Sequence, residues 1–142
     1  PPTLQCSSAA SDVYKRQFQM TCQELITAST ENIPVKIVVF NNGNHGMVRQ
    51  WQKIFYNSKF SASELGHVVP DYVKLAESMG AVGLRMTKKS EVKNVFSEML
   101  KINDKPVLID CVVDPEDMVF PMVPAGGSND QIILNEEDLK NL

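Results

Sequence analysis

The chain has 142 residues, 43% hydrophobic and 22% charged, the makeup of an ordinary globular protein and the length of one domain. Lys plus Arg number 14 against 17 Asp plus Glu, a net charge of −3. This excludes a basic footprint for nucleic acid, and the composition is too apolar for a disordered chain. No apolar run approaches the ~20 residues that cross a bilayer, so no membrane role is expected.

Cys6, Cys22 and Cys111 offer neither a metal spacing nor a disulfide framework, which reads as a reducing, cytoplasmic setting. With two histidines, His45 and His67, any metal here is expected to be held by oxygen donors, which points to a hard ion such as Mg²⁺.

Residues 1–17 show no period of 2 or 3.6 and no charged-then-apolar leader, and are expected to be poorly anchored. Phe18, Cys22, Leu25 and Ile26 form a stripe that predicts a helix, ended by Asn32 and Pro34. Residues 35–41, VKIVVFN, predict a strand buried on both faces. Asn42-Gly43-Asn44-His45-Gly46 is a loop, and Met47–Phe55 predicts a helix with Met47, Val48, Trp51 and Phe55 on one side. A polar loop spans 57–69. A helix follows over 70–79, with Pro70 in its first turn and Gly80 past its end. Residues 81–86 predict a strand. Val92, Val95, Phe96, Met99 and Leu100 mark the clearest helix, over 90–102. A buried strand, 106–113, precedes a proline-punctuated extended segment through Gly127. The domain is expected to span 18–128, with an acidic tail over 129–142 carrying Asp130, Glu136, Glu137 and Asp138 against Lys140.

Strands and helices alternating in this way predict an α/β fold, a parallel sheet flanked by helices. A sheet of this kind that opens on a helix lacks its first strand. Ligands bind beyond the carboxyl ends of such strands, where residues 41–46 stand. Asparagine oxygens suit Mg²⁺, glycines admit a phosphate to the backbone, and the helix after Gly46 turns its positive end toward it. The loop alone also reads as a plain turn, which is the simpler reading of so short a stretch.

The wider pattern reverses that preference. The run FQMTCQELITASTENIPVKIVVFNNGNHGMVRQW resembles the C-terminal, pyrophosphate-binding domain of thiamine-diphosphate enzymes. It is most similar to the catalytic subunit of acetolactate synthase (acetohydroxyacid synthase). Gly46-Met47-Val48 with Gln50-Trp51, Phe55-Tyr56, residues 71–76 (DYVKLA) and residues 121–127 (PMVPAGG) carry the same resemblance, which covers 18–133. It implies that Asn42 ligates Mg²⁺ through its side chain and Asn44 through its backbone carbonyl. Asn42, Gly43, Asn44, His45, Gly46 and Met47 would line the diphosphate of thiamine diphosphate. Met47 would also support the folded cofactor. Trp51 would face the second 2-keto acid, and Ala125 would border the same channel. The implied activity joins pyruvate to pyruvate or 2-ketobutyrate with loss of CO₂, in branched-chain amino acid biosynthesis. Other implied features are FAD in a central domain, a homodimer or larger assembly, and a regulatory small subunit.

No catalytic residue is expected in this stretch, because the family's activating glutamate comes from a pyrimidine-binding domain. The isolated chain is therefore expected to be inactive. One departure stands out: the family carries Gly-Asp-Gly just before the position of Phe18, and Lys15 occupies the aspartate's place, with Asp12 three residues out of register. Residues 1–17 accordingly read as a non-native leader on a truncated frame.

Each residue also has a plainer reading. Trp51 and Met47 could be core packing, Cys22 and Cys111 small buried apolar residues, and Asp110 a group hydrogen-bonded within the sheet. The alternatives for the whole chain are another thiamine-diphosphate decarboxylase or ligase domain, and a non-catalytic α/β binding module.

Overall fold

Three short strands make the sheet of the computed structural model, which describes residues 18–65, 69–124 and 126–141. The leader with Cys6, Asp12 and Lys15, and also His67 and Ala125, lie outside the described residues. Strands β1 (Lys36–Asn41), β2 (Val82–Met86) and β3 (Val107–Val112) are parallel, in the order β1-β3-β2. β3 is central and the most buried: Val107, Leu108 and Ile109 have no exposed surface. The register sets Asp110 beside Val39 on one neighbour and Arg85 on the other.

Four helices of seven residues or more lie among the described residues, α1 (Glu24–Thr30), α2 (Gly46–Phe55), α3 (Tyr72–Ser78) and α4 (Val92–Lys101), and α1, α3 and α4 pack on the sheet. The period of 2 sends alternate residues of each strand to opposite faces. On one face Val39 and Leu108 pack with Leu25 of α1 and Tyr72 and Ala76 of α3, and the Phe18 ring meets Tyr72 edge-on at 6.0 Å. On the other, Val107, Ile109 and Met86 pack with Met99, Val95 and Phe96 of α4. Two covered faces explain why the strand sequences are nearly continuous in apolar residues. The α/β class and the flanking helices are as the sequence predicts.

Several boundaries differ from that reading. The first helix is interrupted by a turn at 22–23. Pro70 stands outside α3, because Asp71 takes the cap position and its carboxylate accepts from the N–H groups of Val73 (3.2 Å) and Lys74 (3.3 Å). A 3₁₀ turn, Lys89–Glu91, precedes α4, with the Glu91 carboxylate accepting from the N–H groups of Thr87 and Lys88. Cys22 and Cys111 are half-buried rather than buried. Beyond β3, Met122 and Ile133 exchange both backbone hydrogen bonds, and the Ile133 side chain is buried.

Gly83 marks the closest approach of α3 to the sheet. A Cβ at this position would lie 2.6 Å from the Val73 carbonyl oxygen and 2.8 Å from its Cα, both backbone atoms that cannot step aside. Gly83→Ala is expected to cost about 1–3 kcal/mol, the usual range for forced overpacking, measured by urea unfolding.

Asp71 supplies a second test. The Lys74 N–H, the Arg85 guanidinium and the Val73 N–H hold its carboxyl below the ordinary 3.8. A lowered native value means stability that is present above 3.8 and lost as pH falls through the native value. Asp71→Asn keeps a capping oxygen but no charge. Its melting temperature is expected to lie below wild type at neutral pH, with the gap closing as the pH is taken down past 3.8.

Candidate functional site

β1 ends at Asn41, and the chain turns through Gly43 at φ +73°, a left-handed conformation that glycine adopts without strain. Side chains of the turn fold back on its own backbone. Asn41 Oδ1 accepts from Gly43 N–H (3.2 Å), Asn42 Oδ1 accepts from Asn44 N–H (3.1 Å), and Asn44 Nδ2 donates to the Asn42 carbonyl (3.1 Å). Asn42 and Asn44 are both buried. The space that a Cβ of Gly43 would point into is open to 4 Å.

A second segment braces the turn. His45 N–H donates to the Ser63 carbonyl (2.7 Å), Leu65 N–H donates to the Gly43 carbonyl (3.2 Å), and Asn44 pairs with Glu64 as an antiparallel bridge. Ser63 is fully buried, and its hydroxyl finds no partner among the described residues. The Asn44 carbonyl receives no backbone hydrogen bond among the described residues.

α2 begins at once. Its cap, His45, makes no side-chain bond to the first turn, and that turn holds no acidic residue. The helix thus presents uncapped N–H groups and the positive end of its dipole beside the two buried asparagines. An anion is the natural complement of such an end.

The two sides of α2 differ in role. Arg49 and Gln50 are the buried ones and hold the segment after β3. The Gln50 amide exchanges two hydrogen bonds with the Val119 backbone, at 2.8 and 3.0 Å. Arg49 donates to the Pro115 carbonyl and to Glu116 (2.5 Å), lies 3.7 Å from Glu64, and stacks 4.4 Å over the Phe60 ring. Arg49, then Lys53, draws the Glu116 carboxyl below the ordinary carboxylate range.

The opposite stripe faces an open cavity of about 620 Å³ whose walls include Met47, Val48, Trp51, Tyr56, Lys59 and Ser61. Trp51 is half-buried and packs on Phe55 at 5.1 Å. Trp51 and Met47 are therefore wall residues of a cavity, and the core reading of the stripe does not hold. The structure brings Asn42 through Met47 together at one strand end and sets Met47 and Trp51 on one adjoining wall. Ala125 lies outside the described residues. Lys59, Ser61 and Ser63 come from the irregular segment after α2, where no periodicity points inward.

For a metal, the described residues hold no cluster of three His, Cys, Asp or Glu side chains. The donors at the turn are neutral oxygens. The donor set suits a hard cation that brings its anionic ligands with it.

Comparison with known proteins agrees with this geometry. Residues 16–111 match the family model described as "Thiamine pyrophosphate enzyme, C-terminal TPP binding domain". The chain is 52% identical over 118 residues, 81% of its length, to an acetolactate synthase of Mycobacterium bovis, and 49% identical over the same span to an acetolactate synthase large subunit of Corynebacterium glutamicum. It spans about a fifth (19%) of the length of these relatives. Among solved structures it is similar to a thiamine diphosphate-dependent 4-hydroxybenzoylformate decarboxylase of Rhodococcus jostii. That match has a TM-score of 0.58 and 28% identity, and covers 66% of this chain and 17% of the other. A parallel sheet whose first described strand ends in the Asn42 turn, matched by the family model across all three strands, belongs to the thiamine pyrophosphate enzymes, as their C-terminal TPP-binding domain.

Proposed function

We propose that this chain carries the diphosphate-anchoring part of an acetolactate synthase. The observation that carries the reading is the turn itself: two buried asparagines at the carboxyl end of β1, leading straight into an uncapped helix start. Asn42 binds Mg²⁺ through Oδ1, an amide oxygen with two lone pairs. Asn44 binds it through its backbone carbonyl. Gly43 and His45 shape the cradle, and the N–H groups of Gly46 and Met47 meet the diphosphate. Met47 would support the folded cofactor, Trp51 would face the acceptor 2-keto acid, and Ala125 would border the same channel. Thiamine diphosphate, when bound, supplies the carbon–carbon chemistry. The chain's own part would be to grip the diphosphate, hold the Mg²⁺ that neutralises it and shield it with the apolar wall.

The substrates proposed are pyruvate as donor and pyruvate or 2-ketobutyrate as acceptor, in branched-chain amino acid biosynthesis. The setting proposed is a cytoplasmic homodimer or larger assembly with FAD in a central domain, a regulatory small subunit, and an activating glutamate from a pyrimidine-binding domain. The likeness to the decarboxylase supports a second reading, a thiamine-diphosphate decarboxylase. The 52% identity to an acetolactate synthase, against 28%, favours the first.

Calorimetric titration of the chain with thiamine diphosphate, with and without MgCl₂, tests the site. Binding is expected to need Mg²⁺. Asn42→Ala is expected to weaken it by about tenfold or more, the loss of one inner-sphere oxygen, and Lys15→Asp to strengthen it by a similar factor. Mg²⁺-independent binding, or equal affinity in Asn42→Ala, would refute the assignment.

A further inference from the structure

Asp110 is the charged residue of the central strand, 2% exposed and flanked by apolar neighbours. Its two oxygens are used separately. Oδ2 accepts from Arg85 Nε at 3.0 Å, and Oδ1 accepts from Asn41 Nδ2 at 3.0 Å. Arg85 also donates to Asp71 Oδ1 at 2.6 Å, so the cap of α3 joins the same chain of contacts. At the other end, Asn41 Oδ1 accepts from Gly43 N–H. The path runs from Asp71 through Arg85, Asp110 and Asn41 to the backbone of the turn.

An ionised carboxylate can only accept, while a carboxamide has one accepting end and one donating end. Asp110 therefore admits the Asn41 amide one way round, with Nδ2 toward β3. That leaves Oδ1, the sole acceptor of the side chain, aimed at Gly43 N–H. Were the amide reversed, Nδ2 would confront Gly43 N–H, donor against donor, and the turn would lose that hydrogen bond.

We infer that Asp110 is a positioning residue, which fixes the orientation of the Asn41 amide and through it the Gly43 turn of the candidate site. That this turn meets a diphosphate rests on the function proposed above; the orientation of the amide does not.

A swap of the two side chains tests this. In Asp110→Asn, the new amide can keep its oxygen on Arg85 and offer its NH₂ to residue 41, which invites Asn41 to reverse. In the double variant Asn41→Asp with Asp110→Asn, Asp at 41 accepts from both Gly43 N–H and the new amide, and the arrangement is restored with the charge count unchanged. The readout is hydrogen exchange at the Gly43 amide of the full chain, followed by NMR and referenced to ladder amides of β3. Asn41→Ala sets the rate of the unheld turn.

Asp110→Asn is expected to speed Gly43 exchange by about tenfold, the scale of one neutral hydrogen bond, while the ladder stays put. The swap is expected to return it to the wild-type rate. A Gly43 rate in Asp110→Asn that matches wild type overturns the inference, as does a swap that exchanges as fast as Asn41→Ala. Should Asp110→Asn fail to fold, the swap against Asn41→Ala decides the matter alone. Titration with thiamine diphosphate and MgCl₂ on the same samples separates the two readings. If wild type does not bind, the function proposed above fails, and the exchange data still judge Asp110.

Discussion

A carboxylate in the middle of an apolar parallel sheet must be compensated, and the compensation of Asp110 organises the functional end of this fold. Its neighbours in register could have been any β-branched pair. Instead β2 brings Arg85 alongside and β1 brings Asn41 two residues past the aligned position, so the buried charge is met from both edges of the sheet. Removing one partner of such a group costs far more than the pair contributes in sum, because the other is left buried and uncompensated. Its influence reaches the residues around it: burial, with the charge of Asp110 adding, pushes the Tyr72 phenol up to about 12 and raises the Cys111 thiol. All of these groups lie toward the carboxyl ends of the strands, where the turn of the candidate site begins.

α2 shows how polar residues on a helix can be structural while its apolar ones face an open cavity. The segment that follows β3 has little regular structure, and its backbone groups still need partners. Arg49 and Gln50 provide them at Pro115 and Val119, which pins the segment to the helix. With its polar side turned inward, α2 leaves Met47, Val48 and Trp51 facing the cavity. Its N-terminus follows the asparagine turn directly, through the cap residue His45.

Much of this was legible in the sequence, and the physical reasons are particular. The strands could be read because burial on both faces demands apolar runs such as residues 37–40 (IVVF) and 107–109 (VLI). α4 could be read because Val92, Val95, Phe96 and Met99 keep a helical period. The Asn42 turn could be read because glycine and asparagine leave few alternatives at a strand end; the use proposed for it comes from the surrounding motif. Strand order was not legible: nothing local tells β3 to lie between β1 and β2, so the meeting of Asp110 with Asn41 and Arg85 stayed hidden. Periodicity also misled on α2, where Trp51 scores as core although the surface that it faces is an opening. Asp71 escaped notice because Pro70 is itself a good first-turn residue, and only the cap hydrogen bonds tell the two apart.

The charge around the turn bears on why a divalent cation belongs in the function proposed for it. Arg49 of α2 is already engaged by Glu116 and Glu64 and lies over Phe60. The turn contributes only amide oxygens and N–H groups. A helix end offers roughly half a positive charge, well short of what a diphosphate carries. Neutral carbonyls can hold the remaining positive charge only in the form of a metal ion, since nothing in them can hold an anion directly. In the function proposed, two roles would fall to the two parts of the site: the helix N–H groups would serve the phosphates, and Asn42 and Asn44 would serve the ion.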